Sequence, residues 1–448
     1  MPLRTLVVAA GMIVAAGGAL FLPILGVMGY ILNYNLGIER QWWGRDFREA
    51  GVRMSLGLAA ATLVGMVLNS GRLRSAGAWL LGHEKLVLAF LCVAWLSVPL
   101  GQGMRDSAAI DHPAIKLTKV IIFALMMTHV AIRLKDLNWL MWTLAAGAAI
   151  LGLEAWDTPR SMYVAGRLET VGGPDFADSN ALAAYIAAML PFMYVLLIRS
   201  GWLGRIFIAL GGAFAINAIV LCRSRGTVVA LAVGAVAMLI FAPAKRRLRT
   251  ALGVLLGLAA LVYLGDPGFW SRAGTLGSST EQMDVSAQIR FEIWRGGMKM
   301  FADHPLGVGA GNFSANIGRY VPALPDRDAH NTFIRCFCEL GVQGGLLLVV
   351  VIVSAFRACV QVLRRSGSLP PESKEHLSWL ARGLFVSMVI YITAGFAGTL
   401  LYNEGFWWLL VLPVCMLRAC ENTLADQEPA PVRIASKPRK SRLQEAPR

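Results

Sequence analysis

Charge is the scarcest commodity in this sequence. Only 15% of its 448 residues are Asp, Glu, Lys or Arg, where a soluble domain carries about a quarter. Such a chain cannot clothe a water-soluble globule of this size. Histidine is sparse too, with six in all, and neither an HExxH pair nor any other metal spacing occurs. The seven cysteines (92, 222, 336, 338, 359, 415, 420) show no metal-ligand spacing, and most fall in apolar runs, where a buried, inert thiol is expected. No metal and no cofactor are expected. A cleavable signal peptide is not expected either. The first apolar stretch, Leu6–Leu32, is too long for an h-region and has no small-residue cleavage site.

What the sequence has instead is apolar residues, 56% of the total, gathered in runs. Leu86–Leu100 with its flanks, Ile115–Ile132, Ala181–Leu197, Thr227–Phe241 and Leu346–Phe356 approach or pass the ~18 residues that signal a spanning helix. In lipid a helix satisfies its own backbone groups. The expected fold class is therefore all-α, a polytopic transmembrane bundle of about twelve spans. They are placed near 6–32, 51–70, 86–101, 115–132, 137–154, 181–198, 202–221, 226–243, 248–264, 332–356, 379–400 and 405–419. Gly17, Gly18 and Pro23 make the first either one kinked helix or two short ones.

The formal charge is +15, but the positive residues sit in short loops and the tail, where membrane topology puts them, so no nucleic-acid partner is expected. Basic loops (Arg72, Arg74, Lys85; Arg133, Lys135; Arg199, Arg205; Lys245–Arg249; Arg357, Arg364, Arg365) alternate with mixed or acidic ones. This pattern puts both termini in the cytoplasm and requires an even number of spans, which favours counting residues 6–32 once. Residues 1–265 then hold spans one to nine, 266–330 a large periplasmic loop, 331–420 spans ten to twelve, and 421–448 a disordered basic tail. Within the loop, Val285, Ile289, Ile293, Gly297, Met300 and Phe301 keep helical spacing. They predict an amphipathic helix over Asp284–Ala302, ended by His304–Pro305, presenting Arg290, Arg295 and Lys299 on its other sides.

Four stretches could carry chemistry. Arg223 and Arg225 crowd a tight external turn, Cys222–Gly226, against the charge rule. They either snorkel to lipid phosphates or form a guanidinium fork for a phosphate or carboxylate, the latter helped by the start of a helix. His330 opens a span with Asn331 and Thr332; it is either a surface or capping residue or a general base. Gly307–Phe313 lacks the strand and the Lys-Ser/Thr of a nucleotide loop and reads as a loop hugging the bundle. In Gly172–Asn180, Asp178 or Ser179 can cap the next helix, or Asp178 and Asn180 can bind a polar substrate.

Taken in order, these pieces resemble the O-antigen ligase superfamily, which also contains O-antigen polymerases. Gly172–Tyr185 looks like its G-x-F-x-x-x-N-x-x-A-x-Y turn, and Ser224-Arg225-Gly226 like its SRG. Arg290–Trp294 through Asp303–Phe313 looks like its external-loop signature. His330-Asn331, nine residues, then Gly341-Val-Gln-Gly344 matches the ligase pattern H-[NSQ]-x9-G-x-x-G. The resemblance covers roughly residues 170 to 350. It implies a metal-independent, inverting glycosyltransferase of the bacterial inner membrane, working in lipopolysaccharide or other polysaccharide biosynthesis. The donor would be a glycan on undecaprenyl diphosphate, and the acceptor a hydroxyl of the lipid A core, another glycan or a protein, met on the periplasmic face. On this reading Arg225 and Arg290 clamp the diphosphate, Arg223 can serve as a third donor, His330 is the base, and Asn331 orients either the imidazole or a sugar hydroxyl. The polymerase is the alternative. A polysaccharide or lipid transporter fits less well, because the deep spans are nearly free of charge.

Overall fold

The computed structural model describes residues 3–99, 101, 112–274 and 285–427, and these form helices and loops with no strand. Among the described residues, eight helices are long and apolar enough to cross a membrane: Pro113–Val130, Leu134–Asp157, Ser179–Arg199, Trp202–Cys222, Ala244–Leu264, Thr332–Ser368, Pro371–Ala394 and Glu404–Ala425. Leu3–Ala19, Met54–Leu68 and Arg225–Phe241 are shorter apolar helices. The result is an all-helical, multi-pass membrane protein.

Side-chain size sorts the helices into layers. Ser179–Arg199 lies at the centre, and Ala181, Ala183, Ala184, Ala187 and Ala188 are all buried. Small residues let neighbouring backbones approach where no water drives them together. Arg247–Leu264 lies at the rim. It buries Thr250 alone and turns Leu248, Leu255, Leu256 and Val262 outward at 59–75% exposure, an apolar face that suits lipid and not water.

The first apolar stretch is two helices, Leu3–Ala19 and Pro23–Leu36. Proline at the first position of the second helix starts it cleanly, since that N–H would have no partner anyway. This settles the first stretch as two helices where the charge pattern favoured counting it once. Arg4 reaches Asp157 at 3.8 Å, and the Thr5 hydroxyl donates to the Trp43 carbonyl. Gly37, just past Leu36, lies against Gly172. At the other end of the bundle, Glu421 pairs with Arg365 and Asn422 donates to the Ile132 carbonyl. Helix Leu134–Asp157 separates the two levels by its 24 residues, about 36 Å of rise. The start of the first helix and the end of the last therefore lie at opposite ends. The expected disordered tail also begins too early. Residues 421–425 continue helix Glu404–Ala425, and the rest of the tail, 428–448, lies outside the described residues.

Two local breaks position the site. Helix Thr332–Arg365 is interrupted at Gly341 (φ 70°, ψ −172°). The break frees carbonyls, and the Gly307–Phe313 loop takes them up: Val308 N–H donates to Cys338 O at 2.8 Å and Gly309 N–H to Glu339 O at 2.9 Å, while Val342 N–H donates back to Pro305 O at 2.9 Å. A side chain at Gly341 would put its Cβ 2.4 Å from Leu306. The H-[NSQ]-x9-G pattern thus has a structural meaning: its first glycine lets the glycine-rich loop dock into a broken helix. The second break corrects the span expected at 379–400. The helix ends at Ala394, and residues 395–403 form a turn at the same end as Gly172.

Candidate active site

The loop helix forms over Val285–Asp303, close to expectation, and buries Ile293, Gly296, Gly297 and Met300. That face packs on helix Thr332–Arg365, where Cys338 Sγ lies 3.1 Å from the Gly297 carbonyl. The Trp294 indole N–H donates to Ala329 O at 2.9 Å, which ties the loop helix to the segment leading into His330. Arg295 and Lys299 are exposed as expected. Arg290 instead turns inward, half-buried.

The turn 395–400 is where the pieces meet. Arg290 Nη1 donates to Ala397 O at 3.3 Å. Asn331 Nδ2 donates to Phe396 O at 3.1 Å. Thr332 Oγ1 donates to Gly398 O at 2.8 Å. Gly226, next to Arg225, packs so closely that a Cβ there would lie 2.4 Å from the Ala397 methyl. Asn180 Cβ lies within 3.9 Å of where a Gly398 Cβ would stand. The turn, the loop helix and the starts of helices Ser179–Arg199, Arg225–Phe241 and Thr332–Arg365 are thereby drawn to one place, although more than 200 residues separate the extremes in sequence.

Charges complete the picture. Arg290 titrates below the ordinary arginine range, first because of burial and further because Arg167, Arg225 and Arg272 are near, with Asp178 opposing. His330 is also shifted down, first by burial and then by Arg290 and Arg167, while Asp328 and Asp178 oppose. His330 is held in the left-handed region (φ 44°), an uncommon conformation for a residue with a side chain. Its N–H donates to Asp328 Oδ2 at 3.0 Å.

The expected residues separate by role. Arg225, Arg290, His330, Asp178 and Asn180 share the site, and Arg225 donates to Ser286 Oγ at 3.0 Å. Arg223, also left-handed at φ 47°, is engaged by Asp266 at 2.7 Å. Burial would raise that carboxyl, and Arg223, the Phe269 N–H and Arg160 hold it below its ordinary range. Asp178 caps its helix, accepting from Asn180 N–H at 2.6 Å and Ala181 N–H at 3.2 Å. Asn331 likewise caps: Oδ1 accepts from Phe333 and Ile334 N–H, both at 3.0 Å. Asn180 Oδ1 accepts from Ser224 Oγ at 3.0 Å and Arg167 Nη2 at 2.9 Å.

Sequence reading missed Arg167, whose Nε also donates to Cys222 O at 3.1 Å; it looked like one more charge in a mixed loop. Asp328 and Thr399 were missed as well. Asp328 had one signal, its place two residues before the histidine, whereas Thr399 was hidden inside an expected span. Among the described residues, no group of three or more His, Cys, Asp or Glu side chains is placed to hold a metal ion.

Comparison with known proteins agrees with the class these observations define. Residues 210–349 match the family model described as O-antigen ligase. Exopolysaccharide production protein ExoQ of Rhizobium meliloti (strain 1021) is 28% identical over 249 residues, which cover 51% of this chain and 55% of that protein. The chain thus matches about half the length of that curated relative. It is a multi-pass membrane protein whose residues 210–349 are similar to the O-antigen ligase family. The family match takes in Arg225, Arg290 and His330 but stops short of the Gly172–Tyr185 turn, where Pro174 stands in place of the pattern's glycine.

Proposed function

We propose that this chain is a glycosyltransferase that moves a glycan from undecaprenyl diphosphate to an acceptor hydroxyl at the periplasmic face of the inner membrane. The observation that carries this reading is the convergence of Arg225, Arg290 and His330 on the turn 395–400 from three separate elements. A diphosphate leaving group gains charge as the glycosidic bond breaks. Half-buried guanidinium groups can meet it with bidentate, charge-assisted hydrogen bonds. Arg167 and Arg290 donate only to carbonyl or amide oxygens, with no carboxylate in ion-pair range among the described residues, so their charge is available to an anion. Arg223 joins the clamp only by leaving Asp266.

His330 accepts the proton of the acceptor hydroxyl as that oxygen attacks the anomeric carbon on the face opposite the diphosphate, which inverts the configuration. The downward shift of its imidazole keeps it neutral, and so able to accept a proton, at neutral pH. Asp178, Asn180 and Asn331 shape the walls of this site, mainly through the helix starts they hold. The membrane delivers the lipid-linked donor laterally, and the amphipathic loop helix covers it.

A ligase transfers the finished chain to lipid A core, another glycan or a protein. A polymerase joins repeat units still on the carrier, and the relative named for exopolysaccharide production fits that second reading as well. Deleting the gene decides between them. Long lipid-linked chains accumulate if the protein is a ligase, and single lipid-linked repeat units if it is a polymerase. If purified protein in vesicles moves glycan-lipid across the bilayer without forming a new glycosidic bond, both readings fall to the transporter.

A further inference from the structure

We propose that Asp328 is the positioning residue for His330, held in place by a buried chain of charges that runs back to the broken helix. The inference rests on the general-base reading of His330 and adds a residue that no motif marks.

Asp328 Oδ2 accepts the His330 N–H at 3.0 Å and the Thr399 hydroxyl, and lies 3.8 Å from His330 Nδ1. Its other oxygen, Oδ1, accepts from Arg335 Nη1 at 2.8 Å. Arg335 is fixed in turn: Nε donates to Glu339 Oε1 at 2.8 Å, and its guanidinium sits 5.2 Å over the Tyr402 ring. Glu339 is fully buried and accepts Tyr402 Oη–H at 2.5 Å and the Phe313 N–H at 3.3 Å. The carboxylate behind the histidine is therefore not a mobile surface group. Each of its hydrogen bonds comes from a different element: the His330 segment, helix Thr332–Arg365 and the turn 395–400.

This arrangement does two things. The bond to the backbone N–H holds His330 in its left-handed conformation and so aims the ring. When His330 takes the hydroxyl proton on Nε2, the Nδ1–H side becomes part of a cation, and Asp328 Oδ2 is the nearest anion to it. No proton passes to Asp328. Burial alone would raise this carboxyl, but Arg335, Thr399 and His330 hold it below its ordinary range, so it stays ionised through the working pH. The other charges facing His330 are Arg290 and Arg167, which oppose its protonation, and Asp178, which favours it.

The test is a pH–rate profile for glycan transfer, with a donor extracted from cells lacking the gene and membranes carrying wild type, Asp328→Asn, Asp328→Glu or His330→Ala. Asp328→Asn keeps an acceptor for the His330 N–H but loses the charge. Its plateau rate is expected to fall roughly 10–100-fold. Its acid limb is expected to move to lower pH, because the anion that favours the protonated imidazole is gone. Asp328→Glu, with the charge kept and the geometry disturbed, is expected to lower the plateau and leave the limb in place. A residue that merely stabilised the fold would lower the amount of active protein without moving the limb. If Asp328→Asn does not fold, Asp328→Ser retains a capping hydroxyl without charge, and the same limb shift is expected. An unmoved limb in the folded, uncharged variant overturns the proposal while leaving His330 as base. Full activity of His330→Ala overturns the general-base reading itself.

Discussion

Both ends of the helical bundle hold paired buried charge, but one of them also gathers cations that are left open. At the end carrying the last helix's C-terminus, Arg418 and Glu84 meet at 2.7 Å with side chains 2% and 0% exposed. Thr128 Oγ1 donates to Glu84 at 2.6 Å, and the Trp79 carbonyl accepts from Arg418 at 2.6 Å. The two charges pair with each other there, although Arg418 Nε is buried without a hydrogen-bond partner among the described residues. At the other end, Arg290 and Arg167 are half-buried without a carboxylate partner among the described residues, and His330 and Arg223 sit in left-handed backbone. A closed pair is architecture, because each charge satisfies the other. Cations gathered without closure cost desolvation energy that the fold does not recover by itself, and such a site pays off when an anion binds.

The sharpest way to break that comparison is to remove the base from the open end. His330→Ala is expected to lower glycan transfer by roughly 10²–10⁴-fold at normal expression, measured in membranes with a lipid-linked donor. Full activity would refute the base. At the closed end, Arg418→Met leaves Glu84 buried without its partner. A stability loss of about 3–5 kcal/mol, seen as a fall in melting temperature and yield, is expected with little change in rate per folded molecule. A large rate effect with an unchanged melting temperature would erase the distinction between the two ends. Arg290→Lys keeps the charge and loses the planar fork. Transfer is expected to drop by on the order of 10²-fold or more while the fold survives, and a fully active lysine variant would reduce the clamp to a simple point charge. The smallest effect concerns pH. Burial holds the His330 imidazole below the ordinary 6.5, and on the proposed general-base role the neutral ring is the active form, so transfer is expected to persist below that pH and decline only as the imidazole protonates. A wild-type acid limb centred above 6.5 contradicts the buried setting described for it.

Much of the site was legible before the fold. Arg225 announced itself by breaking the charge rule, His330 by opening a span within the H-[NSQ]-x9-G-x-x-G pattern, and the loop helix by its 3.6-residue period. The turn 395–400 was not legible. Phe396, Ala397, Leu400 and Leu401 are as apolar as any span, and what ends the helix at Ala394 is tertiary: Thr332 N–H donates to Gly395 O at 2.8 Å and Leu400 N–H to Thr332 Oγ1 at 2.9 Å. That the first apolar stretch is two helices was not legible for a similar reason. Charge statistics weigh loops, and the turn at Leu20–Leu22 between the first two helices carries no charge to weigh.

The sequence by itself determined that this protein lives in a bilayer and that its helices satisfy their own backbones, because those properties are sums over composition and local period. It also determined which residue types are there to propose for phosphate and proton, because those are carried by individual side chains. Only the tertiary structure decided that Arg167, Arg225, Arg290 and His330 share one place, that Arg223 is held by Asp266, and that Asp328 stands behind the histidine. Proximity between residues 40 to 163 apart depends on how helices pack, and packing is set by small-residue contacts and broken helices that no linear pattern encodes.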